Sequence, residues 1–147
     1  MDPVACELCS HDGGALILRT PAWRLVRPSE ALYPATYRLI WSRHVAELSD
    51  LSESEQLGCM AAVARVEAVM RRHLHPHKMN LASLGNVVPH LHWHLIARDE
   101  RDAHFPRPVW AEPLRAADEA ALARWRAALP ALDEALRQAF AVRQAGA

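Results

Sequence analysis

The sequence predicts an α+β fold: a mostly antiparallel sheet with one crossing helix and a C-terminal helix. Two observations carry this prediction. Short apolar runs bounded by proline, glycine and polar residues occupy much of 15–41 and 78–97, as is typical of strands. Apolar residues recur every three or four positions over 52–74 and again over 116–142, which is the spacing of a helix face. A chain of 147 residues suits one domain with one core.

Three strands are predicted in the first part of the chain. The apolar runs 15–19 and 23–27 lie on either side of Pro21, and a third run extends from Tyr37 to Trp41. Because each run is short and ends at proline or polar residues, this part of the chain is expected to be mostly sheet.

A long helix is predicted next. Ser52 and Glu55 have the spacing of a capping box, in which each side chain bonds to the backbone N–H of the other residue. The helix is expected to end between His73 and Pro76, because proline cannot continue a helix. Six apolar residues form its predicted buried face: Leu57, Met60, Val63, Val66, Met70 and Leu74.

The remaining elements are two strands and a second helix. The apolar runs 78–84 and 90–97 predict an antiparallel pair at the centre of the sheet, separated by the segment 85–89. From about residue 114 the chain is predicted to form a helical extension, which Pro130 should kink or split. This extension is compatible with two roles: a contact between the subunits of a dimer, or a lid over a functional site.

Charge, hydropathy and cysteine usage exclude several classes of protein. Lys plus Arg and Asp plus Glu number 17 each, so the chain has no basic field for a nucleic-acid polymer. No run approaches the about 20 apolar residues of a membrane span, and the N-terminus lacks a secretory signal pattern. Three cysteines do not suggest a disulfide framework. We therefore expect a cytoplasmic protein without a membrane partner.

The most informative motif lies at residues 90–96, where His90, His92 and His94 alternate with apolar residues. Alternate side chains of a strand point to the same face, so the three imidazoles are expected on one face. The outer two would have Cα atoms about 13 Å apart, too far to share one ion easily. Imidazoles beside a core are unfavourable unless they react or bind a metal.

The N-terminal pair Cys6 and Cys9 has a spacing that lets both thiolates bind one tetrahedral zinc. His44, just beyond the third predicted strand, and His90 are candidates to complete a Cys2His2 site. A redox-active pair and a chance pairing are alternatives, although the N-terminus offers no βαβ context for a thioredoxin-like motif. A catalytic zinc held by two adjacent histidines of the row also stays open.

The same row suits chemistry at phosphorus. A neutral imidazole is a competent nucleophile near pH 7, and a second histidine could donate to a phosphate oxygen. Asn80, Asn86 and the backbone amides around Gly85 would supply further donors. Glycine at position 85 would also allow a phosphate to approach the backbone closely.

The pattern of residues 90–96 resembles the motif of the histidine-triad (HIT) superfamily of nucleotide hydrolases and transferases. Asn80, Gly85 and Asn86 stand where that family has its phosphate-binding loop, and the similarity extends from residue 6 to about residue 110. The N-terminal Cys-x-x-Cys pair resembles the zinc-bearing, bacterial-type members of the superfamily.

The resemblance implies a single HIT-like domain over residues 1–147 and a hydrolase or transferase that forms a covalent nucleotidyl-histidine. His92 would attack the α-phosphate of a dinucleoside polyphosphate or a nucleoside phosphoramidate. His94 would assist at the phosphate, and the carbonyl of His90 would orient His92. The implied phosphate-binding residues are Asn80, Gly85 and Asn86.

The resemblance also implies a structural zinc, no organic cofactor and a homodimer. The implied zinc ligands agree with the spacing argument: Cys6, Cys9, His44 and His90. Two alternatives to the histidine enzyme are a non-catalytic nucleotide-binding module on the same fold and a zinc-dependent hydrolase.

Overall fold

The structure, a computed structural model, describes residues 5–141. Its elements follow the predicted order along the chain. The strands are β1 (Ala15–Arg19), β2 (Trp23–Arg27), β3 (Thr36–Trp41), β4 (Lys78–Ala82) and β5 (His92–Arg98). The helices are α1 (Glu7–Ser10), α2 (Glu53–Leu74) and α3 (Glu119–Ala141), with a 3-10 turn at Leu48–Asp50.

The five strands form one antiparallel sheet in the order β1-β2-β3-β5-β4. The predicted α+β class is therefore confirmed, as is the antiparallel pairing of β4 with β5. The prediction that this pair lies at the centre of the sheet is wrong for β4, which is an edge strand, because the central strand β3 pairs with the other side of β5. In the register of β3 with β5, Ile40 lies opposite His92 and Arg38 lies opposite His94. This register places a cationic side chain directly beside the histidine row.

The two faces of the sheet have different coverings. On one face, residues such as Leu25, Leu39 and Leu95 pack with α2 and α3 in the main core. On the other face, Val26 and Ile40 pack with the N-terminal segment in a smaller apolar cluster. Because side chains alternate along a strand, the even-numbered residues of β5 face this second, more open side. The histidines of the motif lie on that side.

Helix α2 begins as the sequence predicts. The Ser52 side chain accepts from the Glu55 N–H, and the Glu55 side chain accepts from the Ser52 N–H, which is the predicted capping box. The predicted buried face is partly wrong, because Leu57 is 68% exposed and Met60 is 39% exposed. The periodic pattern fixes the spacing of a face but not its rotation, and the smaller residue Cys59 is buried instead.

Pro130 was predicted to kink or split the second long helix; the split is wrong, because α3 continues through this residue. Proline removes one backbone hydrogen bond, but buried residues on both sides of it, including Leu129 and Leu132, keep the helix on the core. The helix packs on α2 and β1, and none of its described residues lines the histidine cleft. It therefore belongs to the core layer and does not lie over the cleft as a lid.

A buried polar cluster fastens α3 to the sheet. Asp133 of α3 accepts from the Tyr37 hydroxyl at 2.6 Å and from Nη2 of Arg27 at 3.0 Å. Burial, followed by the Asp133 carboxylate, raises the pKa of Tyr37 well above its ordinary value, so the hydroxyl remains a donor. Within residues 5–141, no helix is both long and apolar enough to cross a bilayer.

Candidate active site and metal centre

His92 and His94 lie side by side on the open face of β5. Their ring centroids are 4.9 Å apart, and the residues are only 8% and 9% exposed. The Trp110 ring packs on the other side of His94 at a centroid distance of 5.4 Å. The strand therefore presents two adjacent imidazoles that are shielded from bulk water except on the side of the cleft.

The orientation of His92 is fixed by the residue two positions before it. The Nδ1–H of His92 donates to the backbone carbonyl of His90 at 2.6 Å. Because a carbonyl only accepts, this bond selects the tautomer in which Nδ1 carries the proton. The Nε2 atom of His92 is then the basic, nucleophilic nitrogen.

Both imidazoles are neutral near pH 7. Burial is the largest cause that lowers the pKa of His92, and the charge of Arg38 lowers it further. For His94, burial, the neighbouring His92 and Arg38 lower the pKa to about 4. A neutral imidazole retains the lone pair that nucleophilic attack requires.

The two histidines open into a cleft of about 540 Å³, which we call the triad cleft. This volume lies within the range of about 300 to 1,000 Å³ that is typical of small-molecule sites. Its lining includes Arg38, Gly85, Asn86 and Trp110. Gly85 has φ of 71°, a left-handed conformation that favours glycine, and this conformation shapes the loop between β4 and the histidines.

The structure does not bring Asn80 into the lining of the triad cleft. Its side-chain oxygen accepts from Nη1 of Arg98 at 2.7 Å. Arg98 is 1% exposed and also forms a two-point pair with Asp102, at 2.6 and 3.0 Å. Asn80 therefore takes part in a buried network that holds the turn after β5.

Four potential metal ligands meet beside the end of β3 and the start of β5, next to the triad cleft. The candidate ligand atoms of Cys6, Cys9, His44 and His90 all lie within 4.8 Å of one another. Nδ1 of His90 lies 3.5 Å from each of the two Sγ atoms. Nδ1 of His44 lies 3.3 Å from Sγ of Cys9 and 3.3 Å from Nδ1 of His90.

These separations fit tetrahedral zinc. With Zn–S bonds of about 2.3 Å and Zn–N bonds of about 2.05 Å, a tetrahedron requires S···N distances of about 3.6 Å and an N···N distance of about 3.3 Å. His90 Nε2 donates to the Trp41 carbonyl at 2.7 Å, so its Nδ1 lone pair faces the thiols. The donor set is thus of the kind that structural zinc sites use.

Arg24 holds the N-terminal segment against the sheet. This residue is 5% exposed, and its guanidinium donates to the carbonyls of Leu8, His11 and Asp12 at 2.6 to 3.0 Å. Burial is the largest cause that raises the pKa of Cys9, while the Arg24 charge lowers it. The arginine therefore fixes the backbone around the two cysteines, and its charge offsets part of the rise in the pKa of Cys9.

The HIT domain family profile matches residues 13–101, which is more than half of the chain. The chain belongs to the HIT family. Among solved structures, this HIT protein is similar to a histidine triad protein of Bradyrhizobium japonicum, with 32% identity and a TM-score of 0.70. The alignment covers 86% of this chain and 90% of that chain.

Two further solved structures extend the comparison. A histidine triad protein of Marinobacter aquaeolei is 25% identical with a TM-score of 0.67, over 85% of this chain and 92% of that one. A Zn-bound histidine triad family protein of Mycobacterium smegmatis is 24% identical with a TM-score of 0.59, over 90% and 99% of the chains, and shares the fold. Comparison with curated protein sequences gives no match.

Arg38 and Arg24 of this HIT protein, which lie beside the histidines and the cysteines, were not predicted as site residues. Alternation along β2 and β3 could have placed both arginines on the histidine side of the sheet, but only the strand order sets Arg38 beside His94. His90 also differs from expectation, because β5 begins at His92. His90 thus precedes the strand, and its ring faces the cysteines and not the cleft.

Proposed function

We propose that this HIT protein is a nucleotide phosphohydrolase or nucleotidyl transferase that works through a covalent intermediate on His92. The observation that carries the proposal is the neutral His92 imidazole, which is held by the His90 carbonyl and lines the triad cleft. We propose dinucleoside polyphosphates or nucleoside phosphoramidates as substrates.

The chemistry requires two displacements at one phosphorus atom. Nε2 of His92 attacks the α-phosphorus, a P–N bond forms, and the bond to the leaving group breaks with its electron pair. Water or an acceptor hydroxyl then attacks the same phosphorus and breaks the P–N bond, which restores neutral His92. Its Nδ1–H donates to the His90 carbonyl throughout, and this bond stabilises the positive charge that develops on the ring.

The charge on the phosphate oxygens is balanced by donors around the cleft. We propose that His94 donates an N–H to one oxygen, while the backbone at Gly85 and the side-chain amide of Asn86 bind others. Because Asn80 is bonded to buried Arg98, we propose that it acts on the site indirectly, through the turn after β5 that this network holds.

We propose a structural zinc with four protein ligands: Cys6, Cys9, His44 and His90. Four ligands close a tetrahedral site, whereas a catalytic zinc keeps an open position for water. This closed donor set favours the histidine enzyme over the zinc-dependent hydrolase. When bound, zinc would cross-link the N-terminal segment to the end of β3 and to the residues before β5.

We also propose a single HIT-like domain over residues 1–147 and a homodimer. Strand β4 is an edge of the sheet, and an edge strand offers unpaired backbone groups to a second copy. Exposed apolar residues on that strand and on α2, Leu81 and Leu57, favour a partner surface. Analytical ultracentrifugation would test this assembly.

The proposed reaction is tested by trapping the intermediate. We expect a brief incubation of the wild-type protein with adenosine phosphoramidate or diadenosine triphosphate to add one adenylyl group, mapped to His92 by peptide mass spectrometry. His92→Ala should bind the nucleotide, carry no adduct and show no turnover. His73→Ala, which changes an exposed histidine on α2, is the matched control.

Each alternative predicts a different result. A non-catalytic module would bind nucleotide without turnover even as the wild-type protein. A zinc-dependent hydrolase would turn over substrate without any adduct on His92, and its activity would be lost with the metal. Either pattern in the wild-type protein would contradict the His92 mechanism.

A further inference from the structure

A second, smaller hollow adjoins the triad cleft on the far side of His94. Its volume is about 100 Å³, and it shares Arg38, His94 and Trp110 with the cleft. Its other walls include Glu30 and Thr36. A ligand bound at His92 can therefore extend past His94 into this hollow without leaving the protein surface.

Two buried polar atoms in the lining residues of the hollow have no partner among the described residues: Oγ1 of Thr36 and Nε of Arg38. Thr36 as a whole is only 4% exposed. The residues lie two positions apart on β3, so both side chains are on the face that carries His94. Unpaired buried polar groups are unfavourable, and a bound ligand with acceptor oxygens would satisfy them.

Within residues 5–141, Arg38 forms one ion pair, and it is weak. Its Nη2 reaches Oε1 of Glu30 at 3.3 Å, and the Glu30 side chain is 44% exposed. By contrast, Arg98 on the same face donates at 2.6 to 3.0 Å to two side chains and a backbone carbonyl. The guanidinium of Arg38 therefore keeps donors for a ligand, whereas the guanidinium of Arg98 uses four of its five N–H donors within the protein.

We propose that Arg38 and Thr36 form an anion subsite that binds a second phosphate of the substrate, next to the phosphate attacked by His92. The proposal rests on the proposed function and adds the substrate class that this chain prefers, a nucleotide with a polyphosphate chain. Guanidinium is suited to the subsite because its planar donors match phosphate oxygens. Glu30 is the internal anion that the substrate phosphate displaces.

Substrate preference tests the subsite. Diadenosine triphosphate has further phosphates beside the scissile bond, whereas adenosine phosphoramidate has none, and both would leave AMP on His92. We measure kcat/KM for both substrates and divide the value for diadenosine triphosphate by the value for adenosine phosphoramidate. Arg38→Met should lower the ratio by roughly tenfold to hundredfold, the usual effect of losing hydrogen bonds to a charged group. Arg38→Lys should retain charge without the fork and fall in between.

The matched control is Arg72→Met, which removes the same charge from an exposed position on α2 and should leave the ratio unchanged. Thr36→Val has nearly the same shape as the wild type and should lower the ratio without affecting folding. An unchanged ratio in both Arg38→Met and Thr36→Val would overturn the proposal.

Glu30→Gln separates a binding role for Arg38 from a purely structural ion pair. If Glu30 competes with the substrate, its neutral variant should bind inorganic triphosphate more tightly, by about threefold to tenfold for loss of a partly exposed charge. If the ion pair only supports the fold, Glu30→Gln should instead destabilise the protein and bind triphosphate no better. The second result would overturn the proposal.

Binding of inorganic triphosphate by calorimetry also separates this proposal from the His92 mechanism. A His92→Ala protein should still bind triphosphate in an Arg38-dependent manner. If the wild type forms the His92 adduct but binds triphosphate independently of Arg38, the subsite proposal is wrong and the His92 mechanism stands. If triphosphate binding depends on Arg38 but no adduct forms, the His92 mechanism is wrong and the subsite stands.

Discussion

The carboxylate of Asp133 is expected to be a major source of stability for the packing of α3 on the sheet. It is 7% exposed and is the acceptor for both the Tyr37 hydroxyl and the Arg27 guanidinium. Asp133→Ala would leave the hydroxyl of Tyr37, a residue that is 0% exposed, without an acceptor. The Arg27 side chain is 28% exposed, so water compensates for part of its loss.

We expect Asp133→Ala to lower the free energy of unfolding by about 3 kcal/mol, mostly from the unsatisfied hydroxyl and the lost charge-assisted bond. Tyr37→Phe removes one bond but leaves Asp133 paired with Arg27, so a smaller loss of about 1.5 kcal/mol is expected. In the double variant Asp133→Ala/Tyr37→Phe, no tyrosine hydroxyl is left without an acceptor. The loss of unfolding free energy in this variant should therefore be smaller than the sum of the losses in the two single variants, by about 1 kcal/mol or more.

Urea denaturation followed by tryptophan fluorescence, in buffer with zinc, measures all three variants on one scale. Asp133→Asn is the matched control, because its amide oxygen can still accept from Tyr37 while the charge is lost. A loss below about 0.5 kcal/mol for Asp133→Ala would refute the reasoning. Strict additivity in the double variant would refute the coupling between the two side chains.

Three further predictions concern the metal centre and the histidine row. Cys6→Ser should reduce bound zinc and lower Tm by about 10 °C, measured by metal analysis and thermal unfolding; full zinc occupancy with unchanged Tm would contradict the site. Arg24→Met should weaken zinc binding about tenfold in a chelator competition, because it frees three carbonyls beside the cysteines, while exposed Arg19→Met should not. Folding lowers the pKa of His94 from 6.5 to about 4. Between these two pH values the unfolded chain binds more protons than the folded protein, so stability should drop as the pH falls from 6.5. The His94 share of this loss should be about 3 kcal/mol at pH 4 and should be missing from His94→Asn, whose remaining pH dependence comes from groups such as His90 and His92; equal pH dependence of the two proteins would contradict it.

Local sequence patterns predicted the elements well because those elements depend on local physics. The first two strands match the predicted ranges 15–19 and 23–27, and the capping box of Ser52 begins α2 as expected. Alternation also places His92 and His94 on one face, since period-2 geometry holds wherever the strand is regular. The prediction that His90 shares this strand face is wrong, because β5 begins only at His92.

Features that depend on distant parts of the chain were harder to predict. The four candidate zinc ligands come from three separate segments, and only the Cys-x-x-Cys spacing signals the cluster. Arg38 gave no local signal, because its significance comes from the pairing of β3 with β5 and from Glu30. Asp133 has the same property, since a charged residue on an amphipathic helix is ordinarily solvated. Such residues become interpretable only when the strand order is known.

His90 joins two functions in one residue. Its ring takes part in the cysteine–histidine cluster, and its backbone oxygen, a few bonds away, sets the tilt of the neighbouring imidazole at position 92. A shift of that ring would turn the peptide plane whose oxygen accepts from His92. In the proposed mechanism, loss of the proposed zinc should therefore slow turnover while nucleotide affinity stays nearly constant.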